Sequence, residues 1–315
     1  EMERYRAEHS LSNEEFAQTT EQAGTEMLRE LPEFLDRRVP IPKFTVESAN
    51  KDEYWFMWSD GSRDSFRLRI NEHPRHAHKK THGKAIAMAA HEIFGHFGQM
   101  AGWQQAIDEG RTYSALGVTS THDPEQIISE GWAQAPHHII NDLEKHLPMD
   151  AEFELDAEGL RQLIYNNIQI AANLLIEAEA TNQPLEIVIK TFPPKLQALF
   201  PEGSIDSISR EQLTEVMTDY MHEFLPAESR DEVDQQIKER VEDPNKSVYL
   251  YAYGQGFYFH EELGRLLTHE DKKRYVDLIY SQPVSIGQAK RVVMSMVHRN
   301  PQKYAGKDIS FLQVA

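Results

Sequence analysis

The sequence predicts a mainly α fold that carries a small β-hairpin or sheet. Runs with helical periodicity, separated by proline-marked breaks, occupy most of its 315 residues. Residues 53–71 are rich in aromatic and β-branched side chains, and they lie just before the most apolar helical run. No run approaches the length needed to cross a bilayer.

Residues 12–38 read as an amphipathic helix. Ser12 can cap it, Glu14 and Glu15 suit its first turn, and Pro40 lies beyond its end. Tyr54, Trp55, Phe56, Met57 and Trp58 then lead into Asp60-Gly61, followed by Ser65, Phe66, Arg67, Leu68, Arg69 and Ile70. Two such runs around a DG pair predict a hairpin turning at that pair. A polar, His-rich loop runs from Asn71 to about Gly83. Helices are expected near 84–107, 124–146, 156–181, 184–199, 209–224, 229–242, 246–267, 269–280 and 285–298. The length allows a single helix-rich domain over 1–315. It equally allows two lobes, about 1–150 with the β element and about 151–315 as a helical lobe closing a cleft.

Composition removes several classes of function. There is no cysteine, so disulfides, thiolate metal sites and a cysteine nucleophile are excluded, leaving His, Asp and Glu as ligands. A formal charge of −18 argues against a general nucleic-acid binder. The opening residues, EMERYRAEHS, show no signal-peptide pattern, although a start at Glu1 leaves room for an upstream leader. A soluble protein without a membrane partner is expected, the cytoplasm being slightly favoured, with oligomeric state open.

The chemistry concentrates at one helix. Ala85-Ile86-Ala87-Met88-Ala89-Ala90 is apolar and helix-forming, and it delivers His91-Glu92-Ile93-Phe94-Gly95-His96 into the interior. Two imidazoles and a carboxylate on a buried helix cost free energy unless they are paired or coordinated. A single zinc ion satisfies them, with a neighbouring Glu accepting a proton from water. The histidines are five apart rather than four, which on a regular α-helix turns the second by roughly 140°. One extra residue taken up as a π-bulge brings both rings to one side, and Gly95 would ease that distortion. On the next helix, Glu130 sits among Ile127, Ile128, Gly131, Trp132 and Ala133, where an unpaired carboxylate is expensive. It completes a three-ligand set with an open position.

HEIFGH resembles the HExxGH helix of dipeptidyl peptidase III and the HExxxH helix of the tubulin tyrosine carboxypeptidases. SEGWA is similar to the Glu-Gly-(aromatic or Leu)-Ala segment that supplies the third ligand in several of these glutamate-zincins. Phe66 to Asn71 also resembles the strand that precedes the active helix in an uncharacterised bacterial family with an EGWA-type segment. That family usually has a Pro and one more residue between its histidines, which this sequence lacks. The likeness covers roughly residues 60–140. It implies a zincin-like metallopeptidase fold, His91, His96 and Glu130 as zinc ligands, and Glu92 as general base. It also implies that residues 66–70 pair with extended substrate, unless they form an ordinary hairpin. Related enzymes often trim chain ends, so the expected substrate is a peptide or protein terminus, carboxypeptidase activity being the first expectation.

Other candidates are looser. In residues 247–263, Tyr249, Tyr253, Gly256 and His260 share one helical stripe. The run resembles the late helix of angiotensin-converting enzyme-like peptidases, which makes Tyr249 and Tyr253 candidates for steadying an oxyanion; an aromatic core stripe is the plainer reading. Two glycines inside that helix point to close approach of another backbone or a ligand. Arg69 or Arg291 could hold a terminal carboxylate, with Asn71 and His137 as further substrate contacts. His73, His76, His78 and His82 form either a second metal loop or a solvated one. Two rival functions keep the same residues: a zinc hydrolase of a non-peptide amide or ester, and a non-catalytic helical interaction protein with a structural or vestigial metal site.

Overall fold

The computed structural model describes residues 8–53, 55–62, 65–113, 123–192, 194–198, 200, 209–224 and 229–313. It is mainly helical with one three-stranded sheet. The chain divides into two compact units, residues 1–160 with 255–315 and residues 161–254. The division falls at Leu160 and Gln255 rather than near residue 150, so the last sixty residues belong with the first unit.

In the first unit, α1 (Asn13–Leu35) starts at a full capping box between Ser12 and Glu15 and ends where Asp36 turns left-handed, φ 52°. Its buried stripe, Phe16, Thr20, Gly24, Met27, Leu28, Leu31 and Phe34, follows the helical period. Three strands come next: β1 (Phe44–Ala49), β2 (Met57–Ser62) and β3 (Ser65–Asn71), in the order β1-β3-β2. β3 is therefore central, parallel to β1 (Phe44 opposite Phe66) and antiparallel to β2 (Met57 opposite Ile70). Asp60-Gly61, expected as the turn, pairs instead inside β2 with Arg67 and Phe66, and the strand runs on to Ser62 opposite Ser65. Both edges of β3 are occupied by neighbouring strands, which leaves it no free edge for a substrate strand.

After a 3-10 turn (Pro74–Lys79), one continuous helical segment follows: α2 (His82–Met88), a π-helix (Ala89–Phe97) and α3 (Gly98–Asp108). Then come α4 (Gln126–Gln134), α5 (Pro136–Ile139) and a 3-10 turn (Asn141–His146). The expected helix over 124–146 breaks at Ala135, ahead of Pro136, whose ring cannot continue a helix interior. α6 (Met149–Ala180) begins in this unit, and α11 (Pro244–Leu266), α12 (His269–Ser281) and α13 (Ile286–Arg299) lead through its end.

The core of this unit is built around the π-helix. Ile93, Phe94 and Phe97 bury against Met27, Leu28 and Leu31 of α1, Trp132 of α4, and Tyr275, Ile279 and Tyr280 of α12. The sheet joins through Phe66, whose ring stacks on Phe97 at 4.8 Å. α4 and α11 meet backbone to backbone: a Cβ on Gly131 would lie 2.2 Å from the Gly256 carbonyl carbon, and one on Gly256 would lie 2.1 Å from the Ile127 oxygen. That close approach is the use of Gly256 in the tyrosine-rich helix.

The second unit has its own core. Tyr165, Ile168, Ala172 and Leu175 of α6 pack with Leu213, Met217 and Met221 of α9 and with Val233 and Ile237 of α10. These last are α9 (Arg210–Phe224) and α10 (Arg230–Val241), which follow two short helices, α7 (Leu185–Ile189) and α8 (Pro194–Gln197). Buried Arg240 donates to Gln162 Oε1 at 2.6 Å and lies over the Tyr165 ring. Among the described residues, no helix is long and apolar enough to cross a membrane.

His260, fully buried in the first unit, is a packing residue with a chemical consequence. Its Nδ1–H donates to the Gly256 carbonyl at 2.8 Å, and the Tyr275 hydroxyl donates to its Nε2 at 2.9 Å. Burial pushes its pKa from 6.5 down to about 4, the carbonyl bond opposing and His138 adding to the fall. The unfolded chain therefore takes up this proton first, and stability drops as pH falls from about 6.5 to about 4. A depression of that size corresponds to ~3 kcal/mol. Urea unfolding at pH 7 and pH 4.5 should show wild type losing roughly 2 kcal/mol more than His260→Gln between the two pH values. Equal losses in both proteins would remove His260 as an acid-sensitive element.

Candidate metal centre

His91 and His96 both sit on the π-helix, where i→i+5 hydrogen bonding places residues five apart one above the other. Their rings meet edge to face with centroids 5.0 Å apart. α4 brings Glu130 to the same point: its Oε2 lies 3.3 Å from His96 Nε2 and 3.7 Å from His91 Nε2. All three residues are buried, and their ligand atoms fall within 4.8 Å of one another. Gly95 permits this approach, because a Cβ there would stand 2.7 Å from Ala133 Cα. Gly95 thus serves the contact with α4 as directly as the irregular helix. A tetrahedral ion with bonds of about 2.0–2.1 Å has ligand-to-ligand edges of about 3.3 Å, close to the shorter spacing. The donor set of two imidazoles and one carboxylate fits a divalent metal ion.

The electrostatics agree with that fit. Burial alone would lower His96, yet the Glu130 carboxylate in contact with it raises its pKa to about 9. His91 moves the other way: burial depresses it and His96 adds to the depression, against the pull of Glu92, Glu130 and Glu158. The two imidazoles are thus displaced in opposite directions, His96 toward its charged form by its contact with Glu130. A divalent ion bound here would displace the His96 proton.

His96 is further held by a relay of polar groups. Its Nδ1 faces Ser129 Oγ at 3.4 Å, the Ser129 hydroxyl donates to Gln99 Oε1 at 2.8 Å, and Gln99 Nε2 donates to the Ile279 carbonyl at 3.2 Å. Since the serine hydrogen is used on Gln99, Ser129 accepts from Nδ1–H. That leaves Nε2 facing Glu130, free to offer its lone pair once a metal ion displaces its proton. Tyr280 supports the π-helix itself by donating to the Phe94 carbonyl at 3.0 Å, and Trp132 donates to the Tyr280 hydroxyl at 3.3 Å.

No family model, curated protein or solved structure matches this chain.

Glu92 stands beside the cluster, its Oε1 3.9 Å from His91 Nε2, and its side chain keeps some exposure. The other candidates have partners or surroundings of their own. Arg69 is engaged by Asp60 at 2.8 Å and Glu47 at 3.7 Å on the sheet. Asn71 is fully buried, bonding the Lys51 and Trp55 carbonyls and accepting from the Lys51 and His73 amides. Tyr249 and Tyr253 belong to the second unit, with their hydroxyls 2.6 Å apart. Arg291 lines a concavity of about 390 Å³ with Lys290, Met294, Ser295, His298, Arg299 and Leu312. His137 meets Asp156, whose carboxyl is held well below its ordinary range by His137 and His138 against the opposing effect of burial.

The four loop histidines do not converge. His76 bonds the Glu53 carbonyl at 2.9 Å, His73 accepts from the Arg75 amide, and His82 faces Asp150 at 3.5 Å. Among the described residues, the groupings able to hold a metal are His91–His96–Glu130 and His137–His138–Asp156. Sequence reasoning missed Ser129, Gln99, His138 and Asp156. Gln99 lies three residues after His96, on the same helical face, which was the available signal.

Ser129→Ala removes the acceptor for His96 Nδ1 and the donor to Gln99. Competition of the apo protein with a chromogenic chelator should show Zn²⁺ or Co²⁺ affinity at this centre falling about 10–100-fold. An unchanged affinity would mean that packing alone orients His96.

Proposed function

We propose that this chain is a zinc-dependent hydrolase that cleaves peptide bonds, with a chain terminus as its substrate. The observation that carries the proposal is Glu92 standing next to a buried His91–His96–Glu130 set. Two imidazoles and one carboxylate without thiolates are a donor set used by catalytic zinc, where three protein ligands leave one position open. A structural zinc site would call for a fourth protein ligand, and among the described residues the grouping at this point has three. A zincin-like fold and the likeness of HEIFGH and SEGWA to glutamate-zincins are part of the same reading.

Zinc at this centre supplies Lewis acidity, polarising a carbonyl and making water easier to deprotonate. His91 and His96 present neutral Nε2 lone pairs, His96 in the tautomer fixed by Ser129. Glu130 contributes the negative charge that balances part of the ion. Glu92 accepts the proton of the attacking water and passes it to the leaving amine as the peptide bond breaks. The substrate side rests on less: preference for a chain end follows from the resemblance.

The test is Glu92→Gln on protein loaded with one zinc per chain. Zinc content should be retained, while hydrolysis of a mixed peptide library, followed by mass spectrometry, should fall about 10²–10⁴-fold. Peptide cleavage undiminished in Glu92→Gln would overturn the mechanism. A wild type that leaves peptides intact but cleaves small amides or esters would move the substrate class and keep the centre.

A further inference from the structure

A second cluster in the first unit has the same chemistry on different residues. His137 and His138 of α5 both turn their Nε2 atoms to one oxygen, Asp156 Oδ1 of α6, at 3.1 Å and 3.3 Å. Consecutive residues on a helix point about 100° apart, so two neighbouring rings meeting at one atom is a specific arrangement. Here the rings lie 4.1 Å apart, tilted by 38°.

Hydrogen bonding accounts for only part of this convergence. His137 Nε2 bonds the carboxylate, while buried His138 Nε2 stands 3.3 Å from the same oxygen as an ion-pair contact without a hydrogen bond. His137 Nδ1 is likewise buried without a hydrogen-bond partner, in a residue only 5% exposed. A buried imidazole nitrogen left in that condition is costly to the fold. The surroundings nonetheless hold the rings in place. Lys272 Nζ donates to the His138 carbonyl at 3.0 Å, and the His138 ring packs edge-on against Phe257 at 5.9 Å.

We propose that His137, His138 and Asp156 form a second metal site, taking a divalent transition ion of the zinc class. The two N···O spacings match tetrahedral edges of about 3.3 Å. With two nitrogen donors in three, the set suits zinc or its neighbours rather than calcium or magnesium, which take oxygen ligands. It shares no ligand with the His91–His96–Glu130 centre. Asp156 and His138 keep side-chain exposures of 39% and 23%, so this ion exchanges with solvent and is held more weakly than one at the buried centre. Binding ties α5 to the first turns of α6.

The experiment titrates the chelator-stripped 315-residue chain with Co²⁺ and then Zn²⁺, reading bound metal by equilibrium dialysis and mass spectrometry. Wild type should bind two ions per chain. Asp156→Asn and His138→Gln, both at partly exposed positions, should each weaken the second ion at least 100-fold and keep the first. Glu130→Gln should do the reverse, so that each site is scored by its own variant. Far-UV circular dichroism and the unfolding midpoint without metal report whether each variant folds. Wild type in which no bound ion is weakened by Asp156→Asn and His138→Gln would overturn the proposal, whatever becomes of the first centre.

Discussion

The π-helix over Ala89–Phe97 is the constraint on which the rest of the first unit depends. An α-helix through the same residues would send His91 and His96 to different sides, and Glu130 could then face only one of them. Widening the helix places both imidazoles over Glu130 but strains the regular hydrogen-bond ladder. The surroundings compensate at specific atoms. Tyr280 donates to the Phe94 carbonyl, Trp132 braces Tyr280, and Ile93, Phe94 and Phe97 are packed from three directions. Met27, Leu28 and Leu31 of α1 lock one side; Trp132 and the α12 aromatics lock another.

Depth at the centre is set by backbone contact. Gly95 lets Ala133 close on the π-helix, and Gly131 lets Gly256 close on α4 from the other direction. α4 is thus clamped between two backbones, one on each side of Glu130. A Cβ at Gly95, Gly131 or Gly256 would meet the facing backbone at 2.7, 2.2 or 2.1 Å, so α4 could not keep its place with a side chain at any of them. The order of helices fixes which residues meet, and the glycines fix how closely.

Much of this was legible from residue order alone, for physical reasons that can be named. Ser12 with Glu15, Ser229 with Glu232 and Ser285 with Gln288 all form capping boxes, so helix starts are written locally. The five-residue spacing of the histidines required a π-bulge, and apolar residues around Glu130 marked it as a buried carboxylate. What was not legible is non-local. β1 is short and polar, and its partner β3 lies more than a dozen residues on and runs parallel, so neither periodicity nor a turn announces it. Asp60-Gly61 looked like a turn because the pair favours one. In the structure Asp60 is held in strand by Arg67 and Arg69, which bond its two carboxylate oxygens. The meeting of Asp156 with His137 and His138 joins residues nineteen and eighteen apart across a 3-10 turn, where no spacing rule operates.

The irregular helix, the Gly95–Ala133 contact and a buried carboxylate coincide where His91, His96 and Glu130 meet. The second unit uses regular helices around an apolar core, and its buried Arg240 is supported by Gln162, Gln236 and the Tyr165 ring. Selection for stability alone would favour α-helical geometry and leucine for Glu130. The irregular helix, the buried carboxylate and the opposite pKa displacements of two touching imidazoles come together at a grouping that could hold a metal ion. A cation there would displace the His96 proton, balance the charge of the buried carboxylate and use the His91 lone pair.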